Sequence, residues 1–301
     1  MIAFAEDVSG ITVSFEFFPP RGDAQEGFWS TIAKLETVNP SFVSVTYGAG
    51  GTTRDRTLET VRRIAAETAL RPAAHLTCVG ASKADVNAAV QDFAKAGVNH
   101  IVALRGDPPG GVGTRFTPHP QGYRNAADLV RGIRELGDFE VSVSAYPERH
   151  PESVSIEEDL AFMADKAEHG ASRAISQFFF HNPFFLRLRD RIAARGISIE
   201  LVPGILPITS FARVSEFAAK CGAHVPPALA TRFAGLDEEP ETRNLVAAMV
   251  AAEQVDALRR EGVKHFHFYT LNRADLVYAI CRVLGLGAEK RASCSSLSSG
   301  A

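Results

Sequence analysis

Short runs of apolar, β-branched and aromatic residues recur along the chain, with more polar stretches between them. Eight such runs cover Ile11–Phe18, Phe42–Tyr47, Ala73–Val79, His100–Leu104, Glu140–Tyr146, Arg173–Phe180, Ile199–Leu206 and His265–Leu271. Their length and residue types predict strands. Leu58–Thr68, Ala84–Ala96, Ala126–Leu136, Ile156–Glu168 and Phe184–Ala194 instead carry apolar residues at helical spacing. Strand follows strand at roughly 30 residues, the size of one βα unit with a right-handed crossover. The last interval is longer and holds helical patterns near Phe211–Lys220 and from about Glu241 to Arg260.

Strands alternating with helices predict a parallel sheet covered by helices. Eight repeats favour closure into a single-domain (β/α)8 TIM barrel over residues 11–286, with extra helices between the seventh and eighth strands. An open doubly wound sheet is the alternative. Neither the glycines at 48–51 nor those at 106–113 form the G-x-G-x-x-G turn that a dinucleotide-binding sheet needs. The barrel is preferred. Residues 1–10 are expected to be a loose lead-in. Residues 287–301 end in a Ser-rich stretch with little to bury, which predicts a flexible tail.

Composition narrows the function classes. An apolar fraction of 46% with 22% charged residues is that of a globular protein. The net charge of −3, with no Lys/Arg stripe, argues against nucleic acid as a partner. The longest apolar run, Leu245–Ala252, is far too short to span a membrane, and the N-terminus does not read as a signal peptide. A cytoplasmic protein is therefore expected. Its four cysteines are scattered, which supports neither a zinc ribbon nor a disulfide framework. An exposed apolar helix face would suit self-association, so a homo-oligomer is expected.

In such a barrel the chemistry sits at the C-terminal strand ends. Glu16 alternates with Phe15 and Phe17, so it faces away from them in an aromatic setting that would raise its pKa toward that of a general acid. The plainer reading pairs it with an arginine across the barrel. After the fourth strand, Arg105-Gly106-Asp107-Pro108-Pro109 forms a stiff loop that could hold an acid in place. Gln177, closing the sixth strand, suits the amide edge of a heterocycle or a core hydrogen bond. His75 with His265 and His267 is the main metal alternative. Apart from Glu16 and Asp107, no carboxylate at a strand end obviously completes that set, and no metal is assigned.

Taken in order, Ser14–Pro20 (SFEFFPP), Val45–Ala49 (VTYGA), His75–Cys78 (HLTC), His100–Asp107 (HIVALRGD), Ala145–Glu148 (AYPE), Arg173–Phe180 (RAISQFFF), Pro203–Pro207 (PGILP) and His265–Arg273 (HFHFYTLNR) resemble the 5,10-methylenetetrahydrofolate reductases. The resemblance is to the short bacterial type and covers about residues 11–286. It implies a barrel that holds FAD noncovalently at its C-terminal face. NADH or NADPH reduces the flavin and leaves, and methylenetetrahydrofolate then takes its place and is reduced. It also implies no regulatory domain, hence no inhibition by S-adenosylmethionine.

Carried over by position, the resemblance makes Glu16 the acid that opens the imidazolidine ring at N10. Asp107 becomes the carboxylate that favours the resulting cation. Gln177 is implied at the pterin and at the nicotinamide. Tyr47, Ala49, His75, Arg105, Gly106, Ala126, Tyr146 and His150 are implied FAD contacts, with Asp159 and Lys166 nearer the adenosine. Thr46 is implied on the nicotinamide side, and Arg273 at the folate's glutamate tail. The chain departs from the enterobacterial pattern at Arg213, where Gln is expected, and at Phe162, Asp165 and His181-Asn182-Pro183. Arg213 is therefore a second candidate for the tail. A pterin-binding methyltransferase barrel and an inactive folate- or flavin-binding barrel are the competing readings.

Overall fold

The computed structural model describes residues 10–48, 53–108 and 116–287. The lead-in, apart from Gly10, the tail beyond Gly287, and Ala49 lie outside the described residues. Among the described residues nine strands form one parallel sheet: β1 (Thr12–Phe17), β2 (Val43–Val45), β3 (Pro72–Thr77), β4 (His100–Leu104), β5 (Glu140–Ala145), β6 (Arg173–Ser176), β7 (Glu200–Val202), β8 (Gly204–Ile205) and β9 (His265–Tyr269). Their order is β7-β6-β5-β4-β3-β2-β1-β9-β8, which wraps the sheet round until its ends meet.

The helices are α1 (Gln25–Glu36), α2 (Arg54–Glu67), α3 (Lys83–Lys95), α4 (Ala126–Leu136), α5 (Ile156–Glu168), α6 (Asn182–Ala194), α7 (Phe211–Cys221), α8 (Pro227–Phe233), α9 (Pro240–Arg260) and α10 (Ala274–Val283). The eightfold βα rhythm expected from sequence is thus present, and three helices fill the long interval before the last strand. Prolines start α6, α8 and α9, where a missing N–H costs nothing. A Ser82–Asp85 capping box opens α3.

One predicted strand differs. The run Ile199–Leu206 is broken at Pro203, which has no N–H to continue a ladder. Its first half pairs with β6 and its second with β9, so the two halves together form the stave that closes the barrel. Across the break, Gly204 N donates to Ser176 Oγ at 2.9 Å and His267 N donates to the Pro203 carbonyl at 3.0 Å. Gly204 is required at this seam. A Cβ there would lie 2.2 Å from the Ser176 carbonyl and 2.6 Å from the Tyr269 ring.

Alternation along each strand separates two interiors. On β1, Val13, Phe15 and Phe17 are buried under the helices, and Phe17 meets Phe28 of α1 edge to face. Each such buried phenylalanine contributes up to about 3 kcal/mol. The intervening Ser14 and Glu16 point into the barrel lumen, where polar groups mix with a small apolar cluster of Phe42, Ala73, Val102 and Ile175. Ser14 Oγ bonds both His265 Nε2 (3.0 Å) and His267 Nδ1 (2.8 Å). His100 Nε2 bonds Ser142 Oγ at 2.8 Å. At the N-terminal end, Arg173 binds Glu140 and Glu200 and lies over the Phe42 ring.

Candidate active site

Glu16 sits one residue from the C-terminal end of β1, in register with Ser44 of β2 and Tyr269 of β9. The backbone around it is fixed by the turn that follows β9. Thr270 donates both its N–H and its hydroxyl to the Glu16 carbonyl, the hydroxyl at 2.6 Å. Asn272 clasps the Phe18 backbone, accepting from its N–H at 2.9 Å and donating to its carbonyl at 3.0 Å. This turn places Leu271 (φ 50°) and Asn272 (φ 56°) in the left-handed region, a conformation costly for leucine and tolerated by asparagine. Strain is thus accepted where Glu16 is positioned.

The Glu16 side chain is 16% exposed and reaches 3.5 Å from His75 Nε2 of β3, the strand beyond its neighbour. Burial pushes its pKa up to about 8, and burial lowers that of His75 to about 3, with His100 adding to the effect. The contact therefore joins a neutral carboxyl and a neutral imidazole rather than two ions. His75 Nε2 is also 3.2 Å from Ser44 Oγ. Among the described residues no arginine pairs with Glu16, and Arg173, at the other end of the lumen, is engaged with Glu140 and Glu200. Glu16 is thus held protonated at neutral pH.

Loops form a polar rim around this acid. Thr46 N donates to the Phe17 carbonyl, and the Thr46 carbonyl accepts from Thr57 Oγ1 at 2.8 Å. Half-buried Tyr47 follows, its pKa raised by burial. Arg105 makes a two-pronged pair with Glu152 at 2.7 Å and lies over the Phe116 ring. Gly106 has φ +83°, and a Cβ there would stand 2.6 Å from Val79 Cγ1 and 2.8 Å from Thr77 Cβ. Asp107 is exposed just beyond. Its charge adds to burial in raising the pKa of Tyr146, and in raising that of Cys221 to about 11.

Tyr146 packs edge-on against His150, whose backbone N–H donates to Asp159 Oδ2 at 2.9 Å. Lys166 crosses from α5 to donate to the Ser144 carbonyl at 2.9 Å, and burial lowers its pKa to about 8 against the pull of Asp159 and Asp165. Ala126 opens α4, capped by the Asn125 side chain. Gln177 Oε1 accepts from Phe178 N at 3.0 Å, so its amide nitrogen is the end available to a ligand. Arg273 is exposed at the start of α10, while Arg213 is exposed on α7 and does not line the cleft that Arg273 borders.

Sequence reasoning missed Thr270 and Asn272, whose roles are backbone contacts across 254 residues with no local signature. It also missed Thr77, whose hydroxyl is buried beside Gly106 without a partner among the described residues. His265 and His267 share Ser14, and His265 also binds Glu200 at 2.9 Å. Among the described residues no group of three or more His, Cys, Asp or Glu is arranged to hold a metal ion. Nor, among those residues, is any helix long and apolar enough to cross a membrane.

Sequence comparison with known proteins points to one family. Residues 3–285 match the family described as methylenetetrahydrofolate reductase. The chain is 50% identical over 285 residues to the 5,10-methylenetetrahydrofolate reductase of Pectobacterium carotovorum subsp. carotovorum, covering 94% of this chain and 93% of that one. Identity to the Escherichia coli (strain K12) protein of the same name is 46%, covering 94% of each. Among solved structures, an uncharacterized protein from Clostridium thermocellum that binds two copies of 5-methyl-5,6,7,8-tetrahydrofolic acid aligns with a TM-score of 0.56. At 12% identity, over 92% of this chain and 94% of that one, it supports the barrel fold alone. With a matched family spanning nearly the whole chain and close relatives of the same length, this protein belongs to the methylenetetrahydrofolate reductase family.

Proposed function

We infer that the chain reduces 5,10-methylenetetrahydrofolate to 5-methyltetrahydrofolate, with FAD as its bound flavin and NADH or NADPH as the reductant. The observation that carries this reading is Glu16, a carboxyl kept protonated by burial at the mouth of a barrel of this family.

The rim suits a flavin dinucleotide. Arg105, His150, Tyr146 and Tyr47 offer cationic, aromatic and hydroxyl groups on neighbouring loops, and the buried Thr77 hydroxyl lacks a partner among the described residues. Gly106 keeps the backbone close where any side chain would collide. These residues, with His75, Ala126, Asp159 and Lys166, would hold the group, and Thr46 would meet the nicotinamide. When bound, the flavin supplies a two-electron carrier that takes hydride from the nicotinamide and returns it to the folate.

The chain's own residues handle the proton and the charge. Glu16 donates its proton to N10 of the folate as the bond from N10 to the bridging methylene breaks. The cation left at N5 is favoured by the exposed Asp107 carboxylate. Gln177 presents its amide to the pterin edge. Once ionised, Glu16 regains a proton from water at neutral pH, because its pKa of about 8 lies above the solution pH. Burial that makes the acid usable therefore also reloads it.

The test is an absorbance spectrum of the purified protein, followed by anaerobic mixing with each nicotinamide and then with methylenetetrahydrofolate. A yellow protein that NADH bleaches and methylenetetrahydrofolate re-oxidises, with 5-methyltetrahydrofolate as product, is expected. A colourless protein that binds pterin but does not respond to nicotinamide would favour the methyltransferase reading.

A further inference from the structure

Below Glu16 lie histidines that the mechanism leaves unused, and they stand in a line. At the N-terminal end of the barrel the Glu200 side chain is 44% exposed, and its Oε1 lies 2.9 Å from His265 Nδ1. His265 Nε2 is 3.0 Å from Ser14 Oγ, which is 2.8 Å from His267 Nδ1. At the other end, His75 Nε2 meets Glu16 at 3.5 Å and Ser44 Oγ at 3.2 Å. We propose that this line of side chains is a proton path along the barrel axis, which reloads Glu16 from the N-terminal face.

Each link can take a proton on one atom or lone pair and release one from another. A neutral imidazole accepts at one ring nitrogen as it donates from the other, and a hydroxyl does the same at its oxygen. One step remains, from His267 to His75. His267 Nε2 is buried with no partner among the described residues, and so is His100 Nδ1. Buried polar atoms of this kind are met by an ordered water, and a water between them, with Ser44 Oγ beside His75, carries the proton across. After burial, the charge of His75 does most to lower the pKa of His267, so the two rings act on each other directly.

Low basicity suits a path. Burial holds the His75 pKa near 3 and that of His267 well below its ordinary value, so neither ring keeps the proton it passes. Its hydrogen bond to His265, helped by Arg173, lowers the Glu200 pKa to about 2, so Glu200 gathers protons without storing them. One proton enters at Glu200, each link passes one on, and the Glu16 carboxylate becomes a carboxyl. No electron moves, and each ring resets its tautomer before the next passage. Because this route avoids the mouth, Glu16 reloads while ligands cover it. The proposal rests on Glu16 serving as the acid.

Time-resolved infrared spectroscopy of the protein as purified tests it. The Glu16 carboxyl band, identified by its loss in Glu16→Gln, is followed after a pH jump from above its pKa of about 8 to neutrality. The parent protein is expected to reload equally fast with and without excess 5-methyltetrahydrofolate. Ser14→Ala removes the hydroxyl between His265 and His267, and should slow reloading by about tenfold in both conditions. Its final level of Glu16 protonation should match the parent's, since a path sets a rate and leaves the equilibrium alone. Reloading at the parent's rate in Ser14→Ala would overturn the path, as would a shifted equilibrium with no slowing. A parent rate that drops when the folate binds would overturn it too, and assign reloading to the mouth. If Ser14→Ala does not fold, Glu200→Gln at the exposed entrance takes its place, with the same two outcomes. A protein that fails to reduce methylenetetrahydrofolate would sink the folate reading alone, because the infrared band reports Glu16 directly.

Discussion

Glu16→Gln is expected to leave flavin reduction by NADH nearly intact and to slow folate reduction by about 10²–10⁴-fold. Hydride transfer from nicotinamide to flavin needs no proton at N10, whereas ring opening does. Stopped-flow measurement of the two half-reactions separates these steps, and equal impairment of both would reduce Glu16 to a structural role. The same substitution should stabilise the fold. The Glu16 carboxyl titrates near 8 when folded, against an ordinary value of 4.5. Between those values the folded chain holds a proton that the unfolded chain has lost, so stability falls as pH rises through that window. Gln carries no such penalty, and a gain on the order of 3–5 kcal/mol is expected at pH 8–9, vanishing near pH 4. Urea unfolding of both proteins across pH checks it.

Asp107→Asn carries the second large effect. The carboxylate stands exposed on the loop after β4, close enough for its charge to raise the pKa values of Tyr146 and Cys221. The amide keeps the shape and removes the charge that favours the N5 cation. Preorganised charge of this kind is worth about 3 kcal/mol, or about 10²-fold in the folate half-reaction. Flavin content should be unchanged, since the fold around Gly106 does not depend on the charge. Wild-type folate kinetics in an Asp107→Asn protein that retains its flavin would refute the electrostatic role.

Much of this was legible in the chain because barrels are written in a local code. Eight apolar runs spaced by helical patterns suffice to place the strands, and alternation alone turns Glu16 away from Phe15 and Phe17. What escaped was non-local. Pro203 breaks the seventh run because each half must pair with a different neighbour, and nothing near residue 203 announces that closure. Glu16 owes its positioning to Thr270 and Asn272, which are ordinary turn residues until the barrel brings them beside β1. That no arginine among the described residues pairs with Glu16 was likewise unreadable, because which carboxylates an arginine such as Arg173 meets is settled only by the barrel's closure.

The histidines of the lumen also set an acid limit on the protein. His75, His100 and His267 are all buried, and burial lowers their pKa values to about 3, to about 4 and well below the ordinary 6.5 respectively. An unfolded chain takes up these three protons as pH drops below about 6.5, whereas the native barrel refuses them. Glu16 works in the other direction and offsets one of them down to about pH 4.5. His75 and His100, less the Glu16 offset, leave a net uptake of at least one proton, so unfolding becomes cheaper by at least about 1 kcal/mol for each pH unit between 6.5 and 4.5, with His267 adding in the same direction. Urea midpoints at successive pH values should trace that slope. Mild acidification thus weakens the barrel through the imidazoles on its axis, at pH values where the surface carboxylate pairs are still charged.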